Sequence, residues 1–330
     1  MMMNPYEIIT SEWEGESTLR LVDHAAGAEA EIIPAIGLHL FRFDVRNQSY
    51  IAKPASVAEL RVKSSRYGVP ILFPPGRVKQ AAFPFEGREY RLPANREPDH
   101  AHGELRERPW KVVASGADAA GGAYVSAEFD FAEHLDVLAY WPHAACFRFT
   151  YRLKDGTLSL SGEIANRSGS TMPLSLGFHP YFAFAEGEAS RVRVFIPAAA
   201  EWPLSEDGYA AGEPTPSTLT AALKQGTLVT ELPSYPGGSQ MLSVEPGPQT
   251  CELHYEARAT KLVFNMGDKF PIHVLFTAPW TEAVSLEPYT SIMNVFNEPF
   301  HPQVSGAQGL SAGETFSFEW SIRIESYHGS

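Results

Sequence analysis

Apolar and polar residues alternate with a period of two along most of this chain. Residues 19–24 (LRLVDH), 30–45 (AEIIPAIGLHLFRFDV), 111–115 (KVVAS), 123–131 (AYVSAEFDF), 146–153 (CFRFTYRL) and 157–168 (TLSLSGEIANRS) alternate or are rich in β-branched and aromatic side chains. That pattern predicts strands with one buried face. The later half continues in kind at 191–197, 251–257, 261–266, 273–278, 283–289 and 314–326. Turn-forming clusters at 25–28 (AAGA), 154–156 (KDG), 166–170 (NRSGS) and 237–239 (GGS) separate these segments at the intervals an antiparallel sheet requires. Only two short helices fit, at 56–62 and 217–224. Residues 198–216, rich in Pro, Gly and acids but flanked by strands, read as a long loop. The simplest way to bury so many half-apolar strands is a large all-β antiparallel sandwich, a single domain over residues 1–330.

Composition narrows the function classes. The 330 residues are 44% hydrophobic and 20% charged, enough apolar material for a large core and unlike a disordered chain. A formal net charge of −13, from 39 acids against 26 Lys plus Arg with no basic block, argues against a nucleic-acid partner. No apolar run approaches the ~18 residues of a membrane span. The opening MMMNPYEIITSEWEGE lacks the basic and apolar regions of a secretory signal. A soluble cytoplasmic protein, monomer or homodimer, with no membrane partner is therefore expected. Cys146 and Cys251 stand far apart, which argues against a disulfide scaffold and a cysteine zinc site.

Three stretches carry candidate chemistry. In GFHPYF (177–182) the proline disfavours the α region for His179, so its ring projects from an extended segment. Taken alone, His179 reads as a buried structural histidine. His100-Ala101-His102 has the spacing of two metal ligands on one strand face, with Glu107 following. Gly103, however, implies a turn directly after His102, and Glu104, Arg106, Glu107 and Arg108 read equally well as a solvated charged turn. Glu287 closes an apolar strand and by itself reads as an edge residue facing water.

Their joint occurrence changes the reading. GVPILFPPGR (68–77), HGELRERPW (102–110), GFHPYFAF (177–184) and EPYTSIMNVFN (287–297) resemble, in order, four signatures of the aldose 1-epimerase family, within the galactose mutarotase-like superfamily. The likeness covers nearly the whole chain. It implies a β-supersandwich with a sugar cleft on a concave face and no cofactor or metal. It also implies catalytic roles for His102, His179 and Glu287, matching the histidines of the family's HG and HPYF motifs and the glutamate of EP. Arg77 and Arg106 match sugar-contacting arginines; Tyr181, with Phe73 and Tyr289, is a stacking candidate; His100 is counted as a neighbour and Asn297 as the family asparagine that shapes a turn. Two departures stand out. The family aspartate that binds sugar hydroxyls has no counterpart in KQGTLVTEL (224–232), and Asn294 stands where Asp is more usual.

The implied reaction is anomer exchange. A base, Glu287, takes the C1 hydroxyl proton and an acid, His179, gives one to the ring oxygen, the two groups acting across the ring while His102 hydrogen-bonds or polarises the ring oxygen. A free hexose is expected ahead of its 6-phosphate, because FPPGR resembles the neutral-aldose branch. A binding relative without turnover is the alternative of another class; retention of a matched acid and base argues against it.

Overall fold

The computed structural model describes residues 4–233, 239–247 and 249–327. Its largest sheet has nine antiparallel strands in the order Lys111–Asp118, Gly122–Asp130, Ala145–Lys154, Thr157–Asn166, Thr315–Ser326, Thr260–Gly267, Gln249–Tyr255, Val192–Phe195 and Thr227–Leu228. The period-two pattern becomes its inner face. Leu158, Leu160 and Ile164 of one strand are buried, and Phe147, Phe149 and Tyr151 of its neighbour stand opposite or diagonal to them. Gly162 interrupts the run for a steric reason: a Cβ there would lie 2.3 Å from the Phe318 ring. An alanine would overpack this layer, at a cost of about 1–3 kcal/mol.

A second sheet of seven strands faces it, running Ala198–Glu201, Ser239–Val244, Ile272–Thr277, Ala283–Tyr289, Gly177–Phe178 and Ile71–Leu72, with Tyr181–Ala183 also paired to Ala283–Tyr289. A third, of five strands, spans Tyr6–Trp13, Glu16–Asp23, Ala28–Ile33, His39–Val45 and Gln48–Ser49. One apolar cluster runs from Tyr6 through Phe178 and Leu286 to Ile322 and joins all three. The antiparallel all-β architecture expected from the alternation is what the chain forms.

Both expected helices occur. Val57–Val62 is capped by the Ser56 hydroxyl, which accepts from Glu59 N–H at 3.0 Å. Thr218–Gln225 opens on a capping box between Ser217 and Thr220. Two helices escaped the sequence, Leu135–Tyr140 and Pro302–Ser305; each is too short to show a 3.6-residue apolar period. The strand Tyr6–Trp13 was also missed, because its alternation is diluted by Thr10 and Ser11. Residues 198–216 are more ordered than a loop: they begin with the strand Ala198–Glu201 and return through bridges Leu204–Ala210 and Glu201–Thr215. The turn signal at 237–239 lies outside the described residues but for Ser239.

Candidate active site

The strand Ala283–Tyr289 is buried at every position, which a strand achieves only when both faces are covered. Val284 and Leu286 point into the core between the sheets. Ser285, Glu287 and Tyr289 share the opposite face. Register then assembles the floor of a cleft: Val274 pairs with Glu287, Phe276 with Ser285, Tyr181 with Ser285 and Ser239 with Phe276. The cleft has a volume of about 710 Å³ and is bordered by His102, His179, Glu287, Arg77, Arg106 and Tyr181 among others. It lies on the outer face of the seven-stranded sheet.

His179 and Glu287 touch: Nε2 lies 3.2 Å from Oε1, and both side chains are buried. The pair therefore stands side by side, where the sequence predicts two groups across a sugar ring. Side by side suits the chemistry better, since the C1 hydroxyl and the ring oxygen are bonded to the same carbon. The Ser285 hydroxyl donates to the Pro180 carbonyl at 2.8 Å and so is left to accept from His179 Nδ1–H, also at 2.8 Å. This fixes the tautomer and leaves Nε2 facing the carboxyl group. Tyr289 donates to Glu287 Oε2 at 2.5 Å. Tyr181 stacks on His179 with ring centroids 4.4 Å apart, donates to the Ser65 carbonyl at 2.7 Å, and holds its oxygen 3.1 Å from Nε2.

Burial raises the Glu287 carboxyl well above its usual range, against the opposing pull of the Tyr289 hydroxyl. Burial also pushes the His179 imidazole down. Both shifts favour a pair that shares one proton. Burial favours the neutral form, with the proton on Oε1. Tyr289 stabilises the carboxylate and the Tyr181 oxygen stabilises Nε2–H, so both tyrosines favour the charge-separated form.

His102 reaches the cleft from a strained turn. Its φ is 62° and that of Gly103 is 63°, two left-handed residues in succession. Glycine is required second, because a Cβ at Gly103 would lie 2.0 Å from the Phe73 carbonyl oxygen. The His102 ring sits 5.7 Å from that of His179, and its buried Nδ1 has no hydrogen-bond partner among the described residues. Burial first, then the neighbouring His179, Arg106 and Arg96, holds it well below the usual imidazole range, so it is neutral. Arg106 is buried rather than part of a solvated turn; it pairs with Glu107 at 2.6 Å.

Three candidates do not reach the cleft. His100 is buried with Nδ1 2.6 Å from the Pro93 carbonyl, beside a separate small cavity lined by Leu92 and Trp141. It does not share a ligand position with His102. Asn297 donates to the Ala82 carbonyl and to Asn294 Oδ1, both at 2.8 Å, and ties a turn together. Phe73 is a core residue packed on Trp141 and Phe147. The stretch 224–232, which aligns with the family's sugar-binding aspartate segment, contributes the helix end and the short strand Thr227–Leu228 at the edge of the nine-stranded sheet. At the cleft the strand after it contributes Ser239. Sequence reasoning missed Ser285, a single hydroxyl without a motif, and Ser65, which acts through its backbone carbonyl. It also missed Arg66 and Arg96, which stand outside any signature.

The structure is similar to that of a galactose mutarotase-like protein from Clostridium acetobutylicum, with 25% identity, TM-score 0.89, and coverage of 98% of this chain and 99% of that one. It also resembles the galactose 1-epimerase of Lactobacillus acidophilus in fold, at 13% identity and TM-score 0.78 over 99% of this chain and 100% of that one. A sequence relative, the uncharacterized protein YphB of Escherichia coli (strain K12), is 27% identical over 139 residues; the match spans 42% of either chain. The family model for aldose 1-epimerase matches residues 20–323, so this chain belongs to the aldose 1-epimerase family.

Proposed function

We propose that the protein is an aldose 1-epimerase that opens and recloses a sugar hemiacetal with Glu287 and His179 and needs no cofactor. The observation that carries this reading is the 3.2 Å contact between a buried carboxyl group and a buried imidazole on the floor of the cleft. In the charge-separated form Glu287 takes the proton of the C1 hydroxyl while His179 Nε2–H protonates the ring oxygen. The C1–ring oxygen bond breaks and C1 becomes a carbonyl. Glu287 now carries a proton and His179 is neutral. Rotation about C1–C2 presents the other carbonyl face, and closure reverses both transfers.

The pair's proton count is unchanged throughout. A catalyst built this way holds one proton before and after each half-reaction: ring opening moves it from imidazole to carboxyl by way of the sugar, and ring closure moves it back the same way. His102, neutral, hydrogen-bonds the ring oxygen or a neighbouring hydroxyl, and Tyr181 and Tyr289 orient the pair. General acid and base catalysis each supply roughly 10²–10⁴-fold. The test is optical rotation of a freshly dissolved single anomer, followed with and without the protein. Equilibration no faster than in buffer, across a panel of neutral and acidic aldoses, would overturn the reading.

A further inference from the structure

The cleft is bordered by five cationic side chains, Lys63, Arg66, Arg77, Arg96 and Arg106, and by one carboxyl group, Glu287, although the chain as a whole has a net charge of −13. Two of the cations have carboxylate partners: Lys63 pairs with Glu59 at 2.9 Å and Arg106 with Glu107 at 2.6 Å. The other three have none among the described residues. Arg66 lies over the Trp280 ring at 4.7 Å. Arg77 lies over Tyr209 at 5.2 Å and donates to the Asp207 carbonyl. Arg96 is exposed, and its guanidinium has no partner among the described residues.

Three of the arginines belong to one wall, built around Ala101. Arg77 is the register partner of Ala101 in a two-stranded ladder. Asn95, next to Arg96, donates to the Ala101 carbonyl at 3.0 Å and accepts from its N–H at 2.6 Å. Arg106 Nη1 donates to the same carbonyl at 3.4 Å. Asp99, on the same loop as Arg96, is engaged elsewhere: Tyr209 donates to Oδ2 at 2.7 Å and the Gln80 N–H to Oδ1 at 2.9 Å. Next along the chain from Ala101 stands His102. A hydroxyl of a neutral pyranose accepts from a guanidinium singly, whereas a carboxylate or phosphate accepts two parallel N–H bonds from one.

We propose that the Arg77–Arg96–Arg106 wall binds an anionic group on the substrate, so that the protein acts on an acidic aldose, a sugar carrying a carboxylate or phosphate away from C1. The proposal rests on the epimerase reading for the reaction but not for the binding. It reverses the preference for a free hexose suggested by the FPPGR stretch.

Binding and turnover are measured separately on the wild-type protein. Calorimetry at neutral pH compares glucuronate, galacturonate and glucose 6-phosphate with glucose and galactose; polarimetry follows anomer exchange on the same five sugars. At least one acidic sugar is expected to bind more tightly than its neutral counterpart by roughly 10- to 100-fold, the value of one or two hydrogen bonds to a charged group. Whether the uronates or the phosphate lead identifies the anion. In Arg96→Gln the ratio of acidic to neutral affinity should narrow by about tenfold, and in Arg96→Glu by more. Equal affinity for acidic and neutral sugars, or a ratio that Arg96→Glu leaves unchanged in a folded protein, overturns the proposal. Acid-selective binding without anomer exchange on any sugar leaves the proposal standing and overturns the epimerase reading instead.

Discussion

Glu287 Oε1 and His179 Nε2 stand 3.2 Å apart, and each group's far atom is tied by a hydroxyl, Tyr289 to the carboxyl group and Ser285 to the imidazole. The contact joins two segments 108 residues apart in sequence, brought together where Tyr181–Ala183 pairs with Ala283–Tyr289. Burial makes the Glu287 carboxylate a stronger base and the His179 imidazolium a stronger acid than either is in water.

Replacing Glu287 by Gln keeps the shape and removes the base. We expect kcat for anomer exchange to fall by roughly 10²–10⁴, with sugar affinity falling much less. Polarimetry and calorimetry on the same preparation separate the two effects. Retention of near wild-type kcat would show that another group takes the C1 proton.

His179→Asn should lower kcat by a similar factor. Because acid and base share one proton, the double variant with Glu287→Gln should lose less than the sum of the two in free energy. Strict additivity would mean that the groups act in separate steps.

Tyr289→Phe tests the polarity of the pair. The Tyr289 hydroxyl pulls the Glu287 carboxyl down against the effect of burial, so its removal raises that group further. The acid limb of the kcat/KM profile should move to higher pH while the fold is kept. A limb that moves to lower pH, or stays in place, contradicts the assigned donor.

Acid should unfold the protein through its buried histidines. Burial holds His39 down to about 4, against a bond to the Tyr67 carbonyl, and holds His179 and His273 down to about 3. In the unfolded chain such groups titrate near 6.5. From about pH 6.5 down to 4 the unfolded state thus binds protons that the folded state refuses, and stability present above pH 6.5 is lost as the pH falls. Denaturant midpoints of His273→Gln against pH should show a slope shallower by about one proton, about 1.4 kcal/mol per pH unit. An unchanged slope would mean that His273 already titrates in the folded protein.

The alternation of side chains was legible because a sheet buried on one face writes its period directly into the sequence. Glu287 was legible only in part. Its strand showed the apolar run, but which face Glu287 shares depends on what lies over that face, and one strand does not reveal it. His102 was announced by the glycine after it, whose freedom from a Cβ the Phe73 carbonyl demands. Arg96 and Ser285 were not legible at all. Arg96 owes its position to the loop that Asn95 closes on Ala101, six residues on, and Ser285 to long-range pairing with Tyr181; an isolated arginine or serine carries no mark of either.

The strand Ala283–Tyr289 turns one set of side chains to the interior and the other to the cleft. The proposed base thereby lies in a strand that also builds the core, whereas the arginines around Ala101 sit on short ladders and turns. Inheritance can act on the two parts separately. A lineage could trade one sugar for another by changing the rim, without having to solve again the problem of how to fold.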